Sequence, residues 1–364
     1  MAGSSPSIGK IYGIDIQIHW LLLLFLLFLL VISVQLFVLV ALFYACVLLH
    51  EVAHSITSIR NGVKVKRIEV NLLMGESFID IGRLKPVQEF YVSIAGPIAS
   101  ILMGLAFGFL AIYAPVGFIR LLFQELFILN LLVGGFNLLP GFPLDGGRVF
   151  RSYLQERMGK LRATKITVKL GNAIAVLLVI GTVAYVLLNS SNSFLYDELV
   201  VFFDAIIAMF MYSGGQAELQ AIYLKRYTSQ ISVMDAISTD FIIEKPSTTL
   251  SELYKDILSK HTSIAMFFDG GGVKLVSKLP SMSWNKNDII NSDQPISRFG
   301  AEIPNVPYNA TLDKGIDVMR FNDSNVAAVT RGKSIVGVLL EQHVESIVAL
   351  HISHHGSHKG QEKE

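Results

Sequence analysis

Cysteine is nearly absent from this chain: 364 residues include one, Cys46, and it lies inside an apolar run. A single thiol excludes an intrachain disulfide framework and any cysteine-based metal site within one chain. Charge is also scarce, at 16% of residues, and its signs balance to a formal +1. That balance offers no basic field of the kind a nucleic-acid polymer attracts, so no such partner is expected. The first ten residues carry one charge, Lys10, and lack the basic start, short apolar core and small-residue cleavage site of a secretory signal. Membrane insertion is expected to rely on the apolar spans themselves.

Apolar sequence is what the chain has in excess. At 52% hydrophobic residues and a mean hydropathy of +0.53, it is too apolar for an ordinary soluble domain of this length. The excess is regional: residues 18–215 hold nearly all the long apolar runs, and residues 216–364 read like a soluble domain. A helix needs about 18 or more apolar residues to cross a ~30 Å hydrocarbon layer. Six runs qualify or come close: Ile18–Val34, Leu36–Thr57, Tyr91–Tyr113, Ile119–Leu139, Ile166–Leu188 and Leu195–Tyr212. The first two are so close that they form a tight hairpin or one run broken near Ser33 to Gln35. The expected fold is therefore a polytopic α-helical membrane protein of about six transmembrane helices. The expected division is a membrane domain over 1–215, a linker over 216–228, a soluble domain over 229–349 and a flexible tail over 350–364.

Basic residues set the expected orientation. Arg60, Lys64, Lys66, Arg67, Arg83 and Lys85 follow the second run, and Arg148, Arg151, Arg157, Lys160, Arg162 and Lys165 follow the fourth. Lys225 and Arg226 follow the sixth. Six crossings with these loops inside place both termini and the soluble domain in the cytoplasm of a multi-pass cell-membrane protein.

The second run ends in His50-Glu51-Val52-Ala53-His54, an HExxH pattern on an expected helix. Residues four apart share a helix face. Two imidazoles so spaced can hold one zinc ion, with Glu51 placed as general base towards an activated water. A His-Glu-His cluster inside so apolar a run is expensive to bury, which favours a functional reading. The competing reading is a pair of interface histidines, with Glu51 paired to a basic residue of the following loop. Two histidines underligand a catalytic zinc, and the best third ligand is Asp145. It lies in Asn137-Leu138-Leu139-Pro140-Gly141-Phe142-Pro143-Leu144-Asp145-Gly146-Gly147, a stretch whose prolines and glycines break a helix at membrane depth. Capping of a following helix is the alternative role for Asp145. Glu125 and Asp204 also fall within apolar runs and read as interfacial or snorkelling acids.

Together, HEVAH, the Asn137–Gly147 stretch and Ile94-Ala95-Gly96-Pro97 resemble the site-2 protease family of intramembrane zinc metalloproteases. The resemblance covers about residues 10–215, with the motifs in the family's order. It implies zinc held by His50, His54 and Asp145, acid–base catalysis by Glu51, and a substrate or oxyanion contact from Asn137. It also implies a small β-segment after the second span, where Gly75 and Glu76 stand at a strand to which an unwound substrate can add. Glu76 departs from the family's glycine pair. Single-span membrane proteins are the implied substrates, cut within surrounding membrane lipid.

Residues 229–349 repeat one order of elements twice: a short strand, a turn and helix start, then two strands and a helix. Val233, Lys245–Leu253, Ser263–Phe268 and Val273–Val276 mark the first unit. Ile296, Val306–Lys314, Val326–Val329 and Ile335–Leu339 mark the second. This α/β pattern resembles a pair of cystathionine-β-synthase (CBS) domains. The resemblance implies regulation of the attached enzyme, an adenine nucleotide (ATP, ADP or AMP) as a second ligand, and homodimer formation. The usual Thr/Ser and Asp pair is replaced by Ser277 with Pro280 and by Leu340 with His343, which leaves Ser277 as the candidate nucleotide contact and a plain docking module as the alternative. Two rival functions remain at this stage, a CBS-regulated transporter or channel with HEVAH as an ion site, and a silent zinc-binding scaffold. Retention of a general base beside the metal ligands disfavours the scaffold.

Overall fold

The computed structural model describes residues 6–72, 75–79, 84–188, 194–262, 264–269, 272–276, 293–332, 334–344 and 346–347. The chain divides into two compact units, Met1–Ile222 and Tyr223–Glu364.

Among the described residues five helices are long and apolar enough to cross a membrane: α2 (Val34–Arg60), α3 (Pro86–Tyr113), α4 (Phe118–Asn137), α6 (Lys160–Leu188) and α7 (Phe194–Thr228), the last from Glu198 onward and running past the end of the first unit. The first expected span is shorter than its apolar run. Ile14–Ile18 form a strand, and the helix that follows, α1, covers Trp20–Ile32 only. Thirteen residues at 1.5 Å each give about 20 Å, less than the hydrocarbon thickness. Ser33 makes the break. Its backbone is extended (φ −158°, ψ 117°), ending α1, and its Oγ accepts the Leu36 N–H to cap α2. Residues 216–228, expected as a linker, are helical and form the end of α7.

A four-stranded sheet accompanies these helices. It runs in the order β1 (Ser7–Ile11), β2 (Ile14–Ile18), β3 (Val65–Val70) and β4 (Gly75–Ile79). β2 and β3 are parallel and the other pairs antiparallel, leaving β4 at an edge. The alternation Ile14-Asp15-Ile16-Gln17-Ile18 buries one face. Ile14, Ile68 and Val70 close on Leu22 of α1 and Val52 of α2. The residue beside Glu51 is thus part of the core that ties sheet to helix.

The second unit contains the repeat. Its first half has β5 (Ile237–Ser238), β6 (Ile242–Glu244), α8 (Leu250–Lys260), β7 (Ala265–Asp269) and β8 (Gly272–Val276). The second half has β9 (Gly300–Glu302), β10 (Asn305–Pro307), α9 (Leu312–Phe321), β11 (Val326–Arg331) and β12 (Ser334–Leu340). The two halves exchange edges, since the sheets run β6-β7-β8-β9 and β10-β11-β12-β5. Phe267, Leu250 and Leu253 pack one half, and Val306, Leu312 and Leu339 the other. Met266, Val273, Ala328 and Val338 form a common layer between the sheets. The paired α/β halves fit the twofold order of elements expected from the sequence. Ser277, Pro280 and the tail from 350 lie outside the described residues; Leu340 ends β12 and His343 is exposed.

Candidate metal centre

α2 carries its two histidines on one face, as the four-residue spacing requires, and both are buried. Their rings meet edge to face, with centroids 4.8 Å apart. Asp145 arrives from a different part of the chain. α4 ends at Asn137, a compact turn closes with the Leu144 N–H donating to the Gly141 carbonyl at 3.0 Å, and Asp145 opens α5 (Asp145–Met158). The buried Phe142 ring anchors this turn beneath the Arg151 guanidinium, 4.8 Å from the ring centroid.

Three atoms converge. His50 Nε2 and His54 Nε2 are 3.1 Å apart, and Asp145 Oδ2 lies 3.3 Å from the first and 3.2 Å from the second. Ligands at 2.0–2.1 Å from a tetrahedral zinc stand about 3.3 Å from one another, so this triangle has the dimensions of a zinc face. Three protein donors would leave one position of a tetrahedral ion open, the pattern of a catalytic rather than a structural site. Each imidazole is held from behind: His54 Nδ1 lies 2.7 Å from the Val92 carbonyl and His50 Nδ1 2.9 Å from Ser100 Oγ. Glu51, half-buried, joins the histidines in a cluster whose ligand atoms all fall within 4.8 Å.

Two glycines let backbone approach this cluster. An ideal Cβ at Gly96 of α3 would stand 2.5 Å from His50 Nε2 and closer still to His54 Nε2. At Gly75, the first residue of β4, it would stand 2.6 Å from Glu51 Cγ. The edge strand therefore begins against the side chain expected to act as base. The Tyr44 hydroxyl, two helical turns before Glu51, donates to the Leu72 carbonyl at 2.6 Å and ties the β3–β4 connection to α2. Glu76 follows in β4, opposite Glu69 of β3. Asn137 is half-buried at the end of α4.

Sequence reasoning missed the groups behind the two imidazoles. Val92 and Ser100 flank Gly96 at four-residue spacing, a helix-face signal that was present but unmarked by any reactive residue type. It also missed a buried ion cluster on α5: Arg151 pairs with Glu89 of α3 and, at 3.2 Å, with Glu218 of α7, and Arg148 pairs with Glu218 at 3.1 Å. These pairs fasten the helix that Asp145 begins.

Residues 18–135 match the M50B-like peptidases, and residues 114–180 match peptidase family M50. Zinc metalloprotease MJ0392 of Methanocaldococcus jannaschii is 29% identical over 258 residues, covering 69% of this chain and 71% of that protein. Rip3 of Mycobacterium tuberculosis is 32% identical over 201 residues, covering 53% of this chain and 49% of Rip3. The solved site-2 protease from M. jannaschii is similar over 59% of this chain and 95% of that chain, at 28% identity and a TM-score of 0.42. Both family matches fall on the helices that carry the zinc-sized triangle, and together they make residues 18–180 similar to the M50 peptidases.

Proposed function

We propose that this chain is an intramembrane zinc metalloprotease that hydrolyses peptide bonds of transmembrane substrates, with His50, His54 and Asp145 as zinc ligands and Glu51 as acid–base residue. The observation that carries the reading is the triangle of Nε2, Nε2 and Oδ2 atoms with edges of 3.1–3.3 Å, set among membrane-length apolar helices. Zinc bound there supplies a Lewis acid that acidifies water and polarises a peptide carbonyl. Glu51 accepts the proton of the attacking water and delivers it to the departing amine, a role that needs a carboxylate beside the metal ligands. Asn137 contributes a donor to the oxyanion. Among the described residues β4 is the outer strand of its sheet, and from Gly75 and Glu76 onward an unwound substrate segment adds to it as a strand, so that its amides leave their intrahelical bonds beside Glu51.

Single-span membrane proteins are the substrates this arrangement fits. Both termini and the second unit lie in the cytoplasm: the basic residues after α2, α4 and α7 favour that side, and the pairing of β2 with β3 brings the entry to α1 and the exit from α2 together. The CBS-type unit dimerises and regulates cleavage through an adenine nucleotide at Ser277. ATP or AMP then changes the cleavage rate of the full chain and not of one truncated from Ser229, while an equal response in both removes that role.

The direct test strips the metal with a chelator and restores it. Cleavage of a reconstituted single-span substrate is expected to vanish and to return with about one zinc per chain. Cleavage indifferent to chelation contradicts the proposal, as does metal-dependent ion flux without cleavage, the outcome a transporter requires.

A further inference from the structure

α3 meets both imidazoles along one stripe. Val92, Gly96 and Ser100 recur every four residues and so share a helix face. The Val92 carbonyl takes His54 Nδ1, Gly96 admits both rings, and Ser100 Oγ lies 2.9 Å from His50 Nδ1. A neutral imidazole carries one N–H, and whichever nitrogen holds it cannot bind a metal. For His50 the choice is contested. Its Nε2 lies 3.3 Å from the Asp145 carboxylate, an acceptor that draws the proton to the nitrogen required as ligand. Ser100 offers the rival acceptor at Nδ1. Water is a poor replacement for it, because Ser100 is 1% exposed and His50 5%. At His54 the same task falls to a backbone carbonyl, which no side-chain substitution removes.

We propose that Ser100 is a positioning residue of the metal centre: its hydroxyl accepts the Nδ1 proton of His50, leaves Nε2 free for zinc, and thereby sets the chain's zinc affinity. The proposal rests on the zinc reading above.

The test is a competition titration of the metal-free full chain in detergent against a chromophoric zinc chelator, comparing wild type, Ser100→Ala, Ser100→Thr and Ser93→Ala. Losing such an outer partner typically weakens metal binding about 10–100-fold, the loss expected for Ser100→Ala. Ser100→Thr, which keeps the hydroxyl, is expected to bind like wild type. Ser93→Ala removes another buried hydroxyl of α3 and is also expected to bind like wild type. Thermal unfolding of the metal-free variants, unchanged in Ser100→Ala, separates a lost partner from a lost fold. Zinc uptake by wild type with equal affinity in Ser100→Ala overturns the proposal alone, as does an equal loss in Ser93→Ala. A wild-type chain that takes up no zinc overturns the zinc reading and the proposal with it.

Discussion

Replacing Gly96 by alanine sets two effects of opposite sign against each other. In a helix interior, Gly→Ala favours the helix by about 0.8–1 kcal/mol. The added methyl, however, stands 2.5 Å from His50 Nε2 and closer to His54 Nε2, where ordinary contact begins at 3.4 Å. The rings or the α2–α3 spacing must give by about an ångström. A metal site tolerates about ±0.2 Å in its ligand distances, so the triangle cannot survive that retreat intact. Zinc affinity is expected to fall at least as far as for the loss of an outer partner, about 10–100-fold. Cleavage at saturating zinc is expected to fall about 100-fold, the usual effect of misplacing reacting groups by an ångström. Metal-free thermal unfolding should change little, since helix propensity offsets the local crowding. Chelator competition, substrate cleavage and a melting curve on one preparation measure all three. A Gly96→Ala chain that binds zinc and cleaves like wild type would refute the claim that α3 is fitted to the histidines at this position.

Other predictions concern the scaffold. Glu89→Gln breaks a buried pair with Arg151, both side chains being 3–4% exposed. Breaking such a pair costs about 3–5 kcal/mol, and with Glu218 still 3.2 Å from Arg151 the lower end applies. A lowering of the melting temperature by about 6–12 °C follows for a unit of this size, and an unchanged melt would contradict it. In the second unit Thr249 caps α8 by accepting the Glu252 N–H at 3.2 Å, so Thr249→Ala should cost about 1 kcal/mol in denaturant titration. Hydrogen bonds from the Thr249 backbone and hydroxyl hold the Glu252 carboxyl below its ordinary range. Its contribution is therefore present above the unfolded carboxylate pKa and lost as pH falls through the lowered folded value. Stability of wild type and Glu252→Gln should converge in acid, and a constant gap down to low pH would remove the cap as its cause.

Much of this architecture was legible because its cause is local. Apolar length marked the five long helices, and helical periodicity placed His50 and His54 on one face. The twofold order of strands and helices marked the second unit. What escaped notice depends on partners far apart in sequence. Ile14–Ile18 alternates with the period of a strand, yet it abuts an apolar run that takes in Ile18; pairing with β3 makes it a strand. Glu218 reads as linker charge until Arg148 and Arg151 of α5 face it. The edge exchange of β5 and β9 follows from pairing across the repeat, which neither half signals by itself. Gly96 was visible as part of a family signature, but its steric reason, two imidazole nitrogens within a methyl's reach, belongs to the packing of α2 on α3.

The central claim, that His50, His54 and Asp145 hold zinc while Glu51 moves the proton, is tested most directly by Glu51→Gln. This change keeps the side chain's size and all three ligands while removing the base. Zinc content and cleavage of a single-span substrate are measured side by side in wild type and variant. The account predicts about one zinc per chain in both and a loss of cleavage of about 10²–10⁴-fold in the variant. Cleavage by Glu51→Gln at the wild-type rate, with zinc bound, would contradict it.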